Sequence, residues 1–156
     1  MKAYLLDTNH IGHIFDQHQR VMKRFRSLPA DTHICTSAIC LGEIAAGHRI
    51  TTTTDHQRRD EFERFVTQTF RPHALAVDKS TREYYAQVIE GIWQRHPPIR
   101  RGIRTEKHLV NLGVDINDVW IVAQTLEHNL ILVTEDKIEC IRESAGRLLD
   151  VENWAE

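Results

Sequence analysis

Two carboxylates lie where apolar segments of the chain end. Asp7 directly follows the run Ala3–Leu6, and Asp136 comes just after the run Leu130–Thr134. The carboxyl ends of parallel strands form a common crevice at one edge of a sheet. If both runs are strands of one parallel sheet, we expect the two carboxylates to face the same site.

Two further acids lie in segments with helical patterning. Glu43 has the neighbours Leu41, Ile44 and Ala45, among which a carboxylate is unfavourable unless it is paired or bound to a metal ion. Asp118 stands in the first turn of another predicted helix, where the helix dipole by itself favours an acid. Taken alone, Asp7 could be an ordinary turn residue. Asp136 is the hardest of the four to distinguish from an ordinary acid after a strand, because Glu135 is adjacent to it.

Four carboxylates at one sheet edge raise one another's pKa unless a cation lies between them. Mg²⁺ or Mn²⁺ meets that requirement, because both ions prefer oxygen ligands and keep several waters. A metal site of this kind activates water and offsets the charge that develops on a phosphoryl group. The acids therefore predict metal-assisted hydrolysis of a phosphodiester.

Short apolar runs and amphipathic helices alternate along the chain and must position these acids. Strands are predicted at Ala3–Leu6, His33–Thr36, Ala74–Val77, Leu130–Thr134 and Leu148–Val151. Helices are predicted around 20–26, from Ser37 toward Gly47, over Asp55–Thr69, from a capping box at Ser80–Glu83, from Asn117 to about His128 and near Ile138–Ser144, with a break at Thr51–Thr54. Such alternation is typical of a three-layer α/β/α sandwich with a central, mostly parallel sheet.

Composition narrows the class of protein further. The 156 residues are 41% hydrophobic and 27% charged, with a formal net charge of −2, which predicts one globular domain over 1–156 and not a general polycation. Three cysteines without paired spacing predict reduced thiols, with Cys35 and Cys40 in the core. Apolar runs too short for a bilayer and an N-terminus without a signal pattern lead us to expect a cytoplasmic protein with no membrane partner.

Four segments, in this order, resemble the motifs of PIN-domain ribonucleases. They are Leu6-Asp7-Thr8-Asn9, then Ser37–Gly47 with Glu43, then Asn117–Ala123 with Asp118, and last Leu132–Asp136. The C-terminal segment Leu149–Trp154 is similar to the terminal strand and tryptophan of the VapC toxins in this family. Each motif alone is weak, but the ordered set covers nearly the whole chain and is specific.

The resemblance implies a PIN-like fold and a Mg²⁺-dependent endoribonuclease, with Mn²⁺ as an alternative ion, that cleaves structured RNA to inhibit translation. By position, Asp7 and Asp118 would be the principal metal ligands, Glu43 would hold water on the metal, and Asp136 would complete the cluster or orient the nucleophile. The residues expected to hydrogen-bond to these ligands are Thr8, Asn9 and Thr134.

Partners are implied by the same resemblance. A VapC-type toxin forms a homodimer and is held inactive by a cognate VapB-like antitoxin, which inserts a segment between the N-terminal helices. In this chain Ile11, Ile14 and Phe15 recur at helical spacing after Asp7 and predict an apolar helix face for that contact. Packing of this face inside the monomer is the alternative and covers part of the stripe.

The chain departs from the family pattern before the third motif. A short glycine-rich link is usual there, whereas about 95–114 is a basic, insertion-like segment. Its cations predict contact with RNA phosphates, and a solvated loop is the alternative interpretation: Arg100, Arg101, Arg104 and Lys107. Asp115 stands one helical turn before Asp118, and the apolar run that follows favours Asp118 as the metal ligand.

Other classes of function stay open. The chain could be a catalytically inactive interaction or regulatory module with a PIN fold, or a PIN nuclease outside toxin–antitoxin systems. All four acidic positions are filled, which favours an active enzyme. An aspartyl-phosphate phosphatase would need a second aspartate where Asn9 stands. His10 and His13 lack an evident third zinc ligand and are predicted to be polar surface residues.

Overall fold

The structure is a computed structural model that describes residues 2–52 and 54–156, with the backbone alone at position 147. Within these residues, parallel strands form a central sheet in the order β3-β2-β1-β4-β5. The strands are β1 Ala3–Leu6, β2 His33–Ser37, β3 Ala74–Leu75, β4 Ile131–Val133 and β5 Asp150–Glu152. An all-parallel sheet buried on both faces explains why the interior strands β1 and β4 are continuous apolar runs that do not alternate with polar residues.

The register brings the carboxyl ends of three strands level. Leu6 pairs with Thr36 of β2 on one side and with Val133 of β4 on the other. Along the chain, β2 and β3 lie successively on one side of β1, and β4 and β5 lie successively on the other side. The switch in strand order therefore falls between β1 and β4. Ligand crevices of open parallel sheets lie at such a switch.

Helices cover both faces of the sheet. They are α1 Thr8–Phe15, α2 Gln19–Ser27, α3 Ala38–Ile50, α4 His56–Thr69, α5 Thr81–Arg95, α6 Thr105–Asn111, α7 Ile116–Glu127 and α8 Glu139–Ala145. Tyr4 and Leu6 pack against α1, α2 and α4, while Leu5 packs in a second core with α5, α7 and α8. The predicted three-layer α/β/α fold with a parallel sheet is confirmed.

The end of β3 and the start of β5 differ from the prediction. β3 stops at Leu75 instead of Val77, because the amide of Gln124 donates to the carbonyls of Leu75 and Ala76, at 3.1 and 3.0 Å. β5 begins at Asp150, because Leu148 belongs to a short 3₁₀ turn and is exposed.

Two helix signals also differ from the prediction. α3 continues past Gly47 to Ile50. The predicted break at Thr51–Thr54 includes Thr53, which lies outside the described residues. The predicted capping box at Ser80–Glu83 is wrong in its chemistry. Asp78 accepts from the backbone N–H of Ser80 at 2.8 Å, and the Ser80 hydroxyl also donates to Asp78.

The segment about 95–114 is partly helical. It contains α6, in which His108 and Leu109 are buried, and His108 Nε2 lies 2.6 Å from the carbonyl oxygen of His96. This contact ties α6 to the end of α5, so the segment packs on the domain core and also carries an exposed basic stretch. Across the described ranges, no helix is long and apolar enough to cross a bilayer.

Candidate metal centre

Asp7 lies at the centre of the acidic site. Its backbone N–H donates to the carbonyl of Val133 at 3.0 Å, which fixes the residue at the end of β1 beside β4. Its Oδ1 accepts from the N–H of Thr8 at 2.6 Å and caps α1, and its Oδ2 accepts from the Thr134 hydroxyl at 2.8 Å. The side chain is buried, and burial raises the pKa of Asp7 to about 6; the Thr134 hydrogen bond lowers it, while Asp136 raises it.

Glu43 links three helices. Its Oε2 accepts from the hydroxyl of Thr8 at 2.6 Å, and its Oε1 accepts from the amide of Asn117 at 2.8 Å. These donors belong to the first turns of α1 and α7, so the carboxylate is held between both helix ends. Half-burial of Glu43 is therefore compensated by two hydrogen bonds.

Asp118 is half-buried in the first turn of α7. Burial is the main cause that raises the pKa of Asp118 to about 7, followed by the carboxylates of Asp7, Asp136, Asp115 and Glu43. The exposed Asp115 instead caps α7, accepting from the N–H of Asn117 at 2.8 Å. The structure thus brings Asp118 into the field of the other predicted acids and gives Asp115 a structural role in the helix cap.

Asp136 lies at the exposed side of the cluster. Its Oδ1 accepts from the amide of Asn9 at 3.1 Å, and its backbone N–H donates to the Thr134 hydroxyl at 3.0 Å. The three residues predicted to support the acids each donate a hydrogen bond to one of them: Thr8 to Glu43, Asn9 to Asp136 and Thr134 to Asp7.

The donor set fits a divalent cation. Ligand atoms of Asp7, Cys40 and Glu43 all lie within 4.8 Å of one another. Throughout the described residues, none of the four clustered acids forms an ion pair with a side-chain cation. Carboxylates without a cationic partner, among which Asp7 and Asp118 have raised pKa values, are the surroundings in which a hard cation binds favourably.

Two residues of this site were missed by sequence reasoning. Asn117 donates its side-chain amide to Glu43. The only sequence signal for this role is the position of Asn117 directly before Asp118 in the third motif. The Cys40 thiol donates to Asp7 Oδ1 at 3.6 Å and is fully buried, as predicted for a core thiol. Its place one turn before Glu43 puts both side chains on the same face of α3.

The prediction that His10 is a surface residue is wrong. His10 is fully buried, because α1 packs this face against the C-terminal segment, and its Nε2 accepts from the N–H of Trp154 at 3.2 Å. Burial, followed by the charge of His13, lowers the pKa of His10 to about 4. Its place here is structural, since it fixes the C-terminal segment to the helix that Asp7 caps.

The predicted RNA-contact cations lie outside the cluster. All four are exposed, and across 2–52 and 54–156 none of them takes part in an ion pair: Arg100, Arg101, Arg104 and Lys107. A separate cleft lies between the α6–α7 turn and the start of α8. Of the clustered acids, Asp118 lines it, together with Lys137.

A family model described as "PIN domain" matches residues 4–143 of the chain. The search of curated protein sequences found no match to this chain. Similar solved structures include FitAcB from Neisseria gonorrhoeae, with a TM-score of 0.68, 22% identity and coverage of 97% of each chain. DNA-bound VapBC from Salmonella typhimurium has a TM-score of 0.68, 19% identity and coverage of 99% of each chain. VapBC-5 from Mycobacterium tuberculosis, a member of the VapBC family of toxin-antitoxin systems, has a TM-score of 0.59, 21% identity and coverage of 98% of each chain.

Proposed function

Because the chain belongs to the PIN domain family, we propose that it is a metal-dependent endoribonuclease with its active site at the acidic cluster: Asp7, Glu43, Asp118 and Asp136. The observation that carries this proposal is the meeting of these carboxylates at the switch in strand order of the sheet, where burial also raises the pKa of Asp7 and of Asp118. Strongly perturbed carboxylates in a crevice are typical of catalytic and metal-binding sites.

The cluster's residues divide the work between them. Asp7, oriented by Thr8 and Thr134, and Asp118 are the principal ligands of Mg²⁺ or Mn²⁺. Glu43 holds water at the site, and Asp136 completes the cluster or orients the attacking water from its exposed side. When bound, the metal activates water and offsets the charge that develops on the phosphoryl group.

RNA binding extends beyond the cluster. The exposed, unpaired cations of 100–107 contact the phosphates of a structured RNA, because cationic side chains supply most of the sequence-independent affinity for nucleic acid. Lys137 lines a cleft together with Asp118, and this cation adds a phosphate contact at the edge of the acidic cluster.

In biological terms the chain is a VapC-type toxin that inhibits translation and forms a homodimer. Support comes from the VapBC chains, which share this fold over nearly their whole length, and from the C-terminal segment that ends at Trp154. A VapB-like antitoxin fits the cleft between α1, α3 and α4, whose lining includes Phe15, Ile44 and Phe62. Ile11 and Ile14 of the predicted stripe are buried in the monomer, so Phe15 is the part of that face open to a partner.

Cleavage of an end-labelled structured RNA by the purified chain tests the proposal. We expect cleavage with Mg²⁺ or Mn²⁺, its loss with EDTA, and a decrease of at least about a hundredfold in Asp7→Asn and in Asp118→Asn, since even groups behind metal ligands contribute ten- to a hundredfold. Asp31→Asn, at an exposed position outside the cluster, is the matched control. Wild-type cleavage by either cluster variant, or equal cleavage in EDTA, would exclude this site.

A further inference from the structure

A thiol lies among the carboxylates of the acidic cluster. Cys40 Sγ is 3.6 Å from Asp7 Oδ1, and one ligand atom each of Asp7, Cys40 and Glu43 lies within 4.8 Å of the other two. The Cys40 side chain is fully buried and Glu43 is half-buried, so the three groups lie at the more buried side of the cluster.

Sulfur changes which cation the site favours. Mg²⁺ takes oxygen ligands, whereas thiolate favours softer ions, of which Zn²⁺ is the common biological case. In tetrahedral zinc sites, Zn–S is about 2.3 Å and Zn–O about 2.0–2.2 Å, which places a sulfur and an oxygen ligand about 3.6 Å apart. The Sγ–Oδ1 distance in this structure is 3.6 Å.

We propose that Asp7, Cys40 and Glu43 bind Zn²⁺ in a three-ligand mode that competes with Mg²⁺ and inhibits the enzyme. Zinc replaces the thiol proton that now lies between Cys40 and Asp7: the S–H bond breaks, the S–Zn bond forms, and the proton passes to the solvent without oxidation or reduction. Only the inhibitory consequence rests on the proposed function; the binding itself does not.

Neighbouring contacts suit this mode. Thr8 and Asn117 donate to the two oxygens of Glu43 and hold its carboxylate beside Cys40. Asp7 is oriented in the same way by the N–H of Thr8 and the hydroxyl of Thr134. Two of the three ligands are thus held in place before any cation arrives, which lowers the ordering that binding requires.

The chain supplies a matched control. Cys35 is also a fully buried thiol, on β2, but it donates to the backbone carbonyl of Tyr4 at 3.4 Å, and among the described residues it belongs to no group of potential metal ligands. A substitution of Cys35 therefore alters core packing as a substitution of Cys40 does, without removing a ligand of the proposed site.

Cobalt(II) is the probe for the test, because it takes zinc geometry and reports thiolate ligation by a charge-transfer absorption in the near ultraviolet. We expect this absorption from the wild-type chain in a thiol-free reducing buffer, its displacement by Zn²⁺, its loss in Cys40→Ser and Cys40→Ala, and its retention in Cys35→Ser. We also expect the Zn²⁺ dissociation constant, and the Zn²⁺ concentration that halves Mg²⁺-dependent cleavage, to rise at least about tenfold in Cys40→Ser.

The outcomes separate this proposal from the nuclease. A wild-type chain with no thiolate absorption overturns it whatever the variants do, and so does an absorption that persists in a folded Cys40→Ala. A thiolate absorption in a chain that cleaves no RNA supports the zinc site and contradicts the proposed function. Cleavage that Zn²⁺ inhibits equally in the wild type and in Cys40→Ser removes the inhibitory role.

Discussion

The amide of Asn117 donates a hydrogen bond of 2.8 Å to Glu43 Oε1. This contact joins the first turn of α7 to the middle of α3. Glu43 is also one of the carboxylates that raise the pKa of Asp118, the next residue in the chain. An uncharged side chain therefore joins the helix that carries Glu43 to the helix that carries Asp118.

The first prediction concerns that amide. Asn117→Ala leaves Glu43 with one donor, so we expect the Mg²⁺ concentration that gives half-maximal cleavage to rise about ten- to a hundredfold, with a stability loss of about 1 kcal/mol. Cleavage rates over a Mg²⁺ titration, with chemical denaturation alongside, measure both. Asn111→Ala, at an exposed position at the end of α6, should match the wild type. An unchanged Mg²⁺ dependence in Asn117→Ala would show that Glu43 does not need this donor.

The second prediction concerns stability without metal. The folded pKa of Asp118 is raised from 3.8 to about 7, so the native state binds more protons between these values and loses stability as pH rises through them. Asp118→Asn should stabilise the metal-free protein at pH 7.5 by about 1–2 kcal/mol, less than the full shift implies because solvent screens a half-buried carboxylate, and by little at pH 4. Urea unfolding at both pH values in EDTA measures this, with Asp31→Asn as the control. A destabilised Asp118→Asn at pH 7.5 would contradict mutual repulsion in the cluster.

The third prediction is that His10 has the opposite effect on the pH dependence of stability. Its folded pKa is lowered from 6.5 to about 4, so the unfolded chain binds more protons between these values and stability is lost as pH falls. His10→Gln should lessen this loss, while His10→Ala should destabilise the protein at pH 7 by about 2–3 kcal/mol, through a cavity and an unpaired N–H of Trp154. Thermal unfolding from pH 5 to 7 tests both, with the exposed His33→Gln as the control. Equal acid sensitivity in the wild type and His10→Gln would assign the effect to other groups.

Some residues of the site can be predicted from the local sequence pattern, and others cannot because their positions depend on tertiary packing. Asp7 and Asp136 follow apolar runs, and hydropathy alone locates interior strands that are buried on both faces. The contacts of Cys40 depend instead on where α3 lies relative to β1, which no local pattern encodes. His10 is polar by type yet buried, because its burial depends on a C-terminal residue, Trp154, far away in the chain. The end of the edge strand β3 is also set by a distant residue, because the Gln124 side chain hydrogen-bonds to the carbonyls of Leu75 and Ala76, where strand pairing ends.

The fourth prediction concerns the basic segment. If Arg100, Arg101, Arg104 and Lys107 contact phosphates, changing all four to glutamine should weaken RNA binding and reduce the slope of log affinity against log salt by up to about four times 0.7–0.9. Fluorescence anisotropy of a labelled structured RNA with Asp118→Asn protein, between 50 and 200 mM salt as typical conditions, measures the slope without cleavage. The control carries Lys79→Gln and Arg82→Gln, two exposed cations at the other end of α5. A slope equal to that of the parent protein would place the RNA elsewhere.

The last prediction concerns the cleft between α1, α3 and α4. Phe15 packs against Phe62 and Phe65 with ring centroids 5.0 and 5.5 Å apart and stays half-buried, so it offers an aromatic anchor that the monomer leaves partly open. Phe15→Asp places a charge on this surface and should weaken binding of the antitoxin encoded by the neighbouring reading frame at least about tenfold, as loss of an apolar anchor does. Calorimetric titration measures it, on protein whose circular dichroism matches the wild type. Ile99→Asp, which alters an exposed apolar residue outside the cleft, is the control; equal affinity for both variants would move the antitoxin to another face.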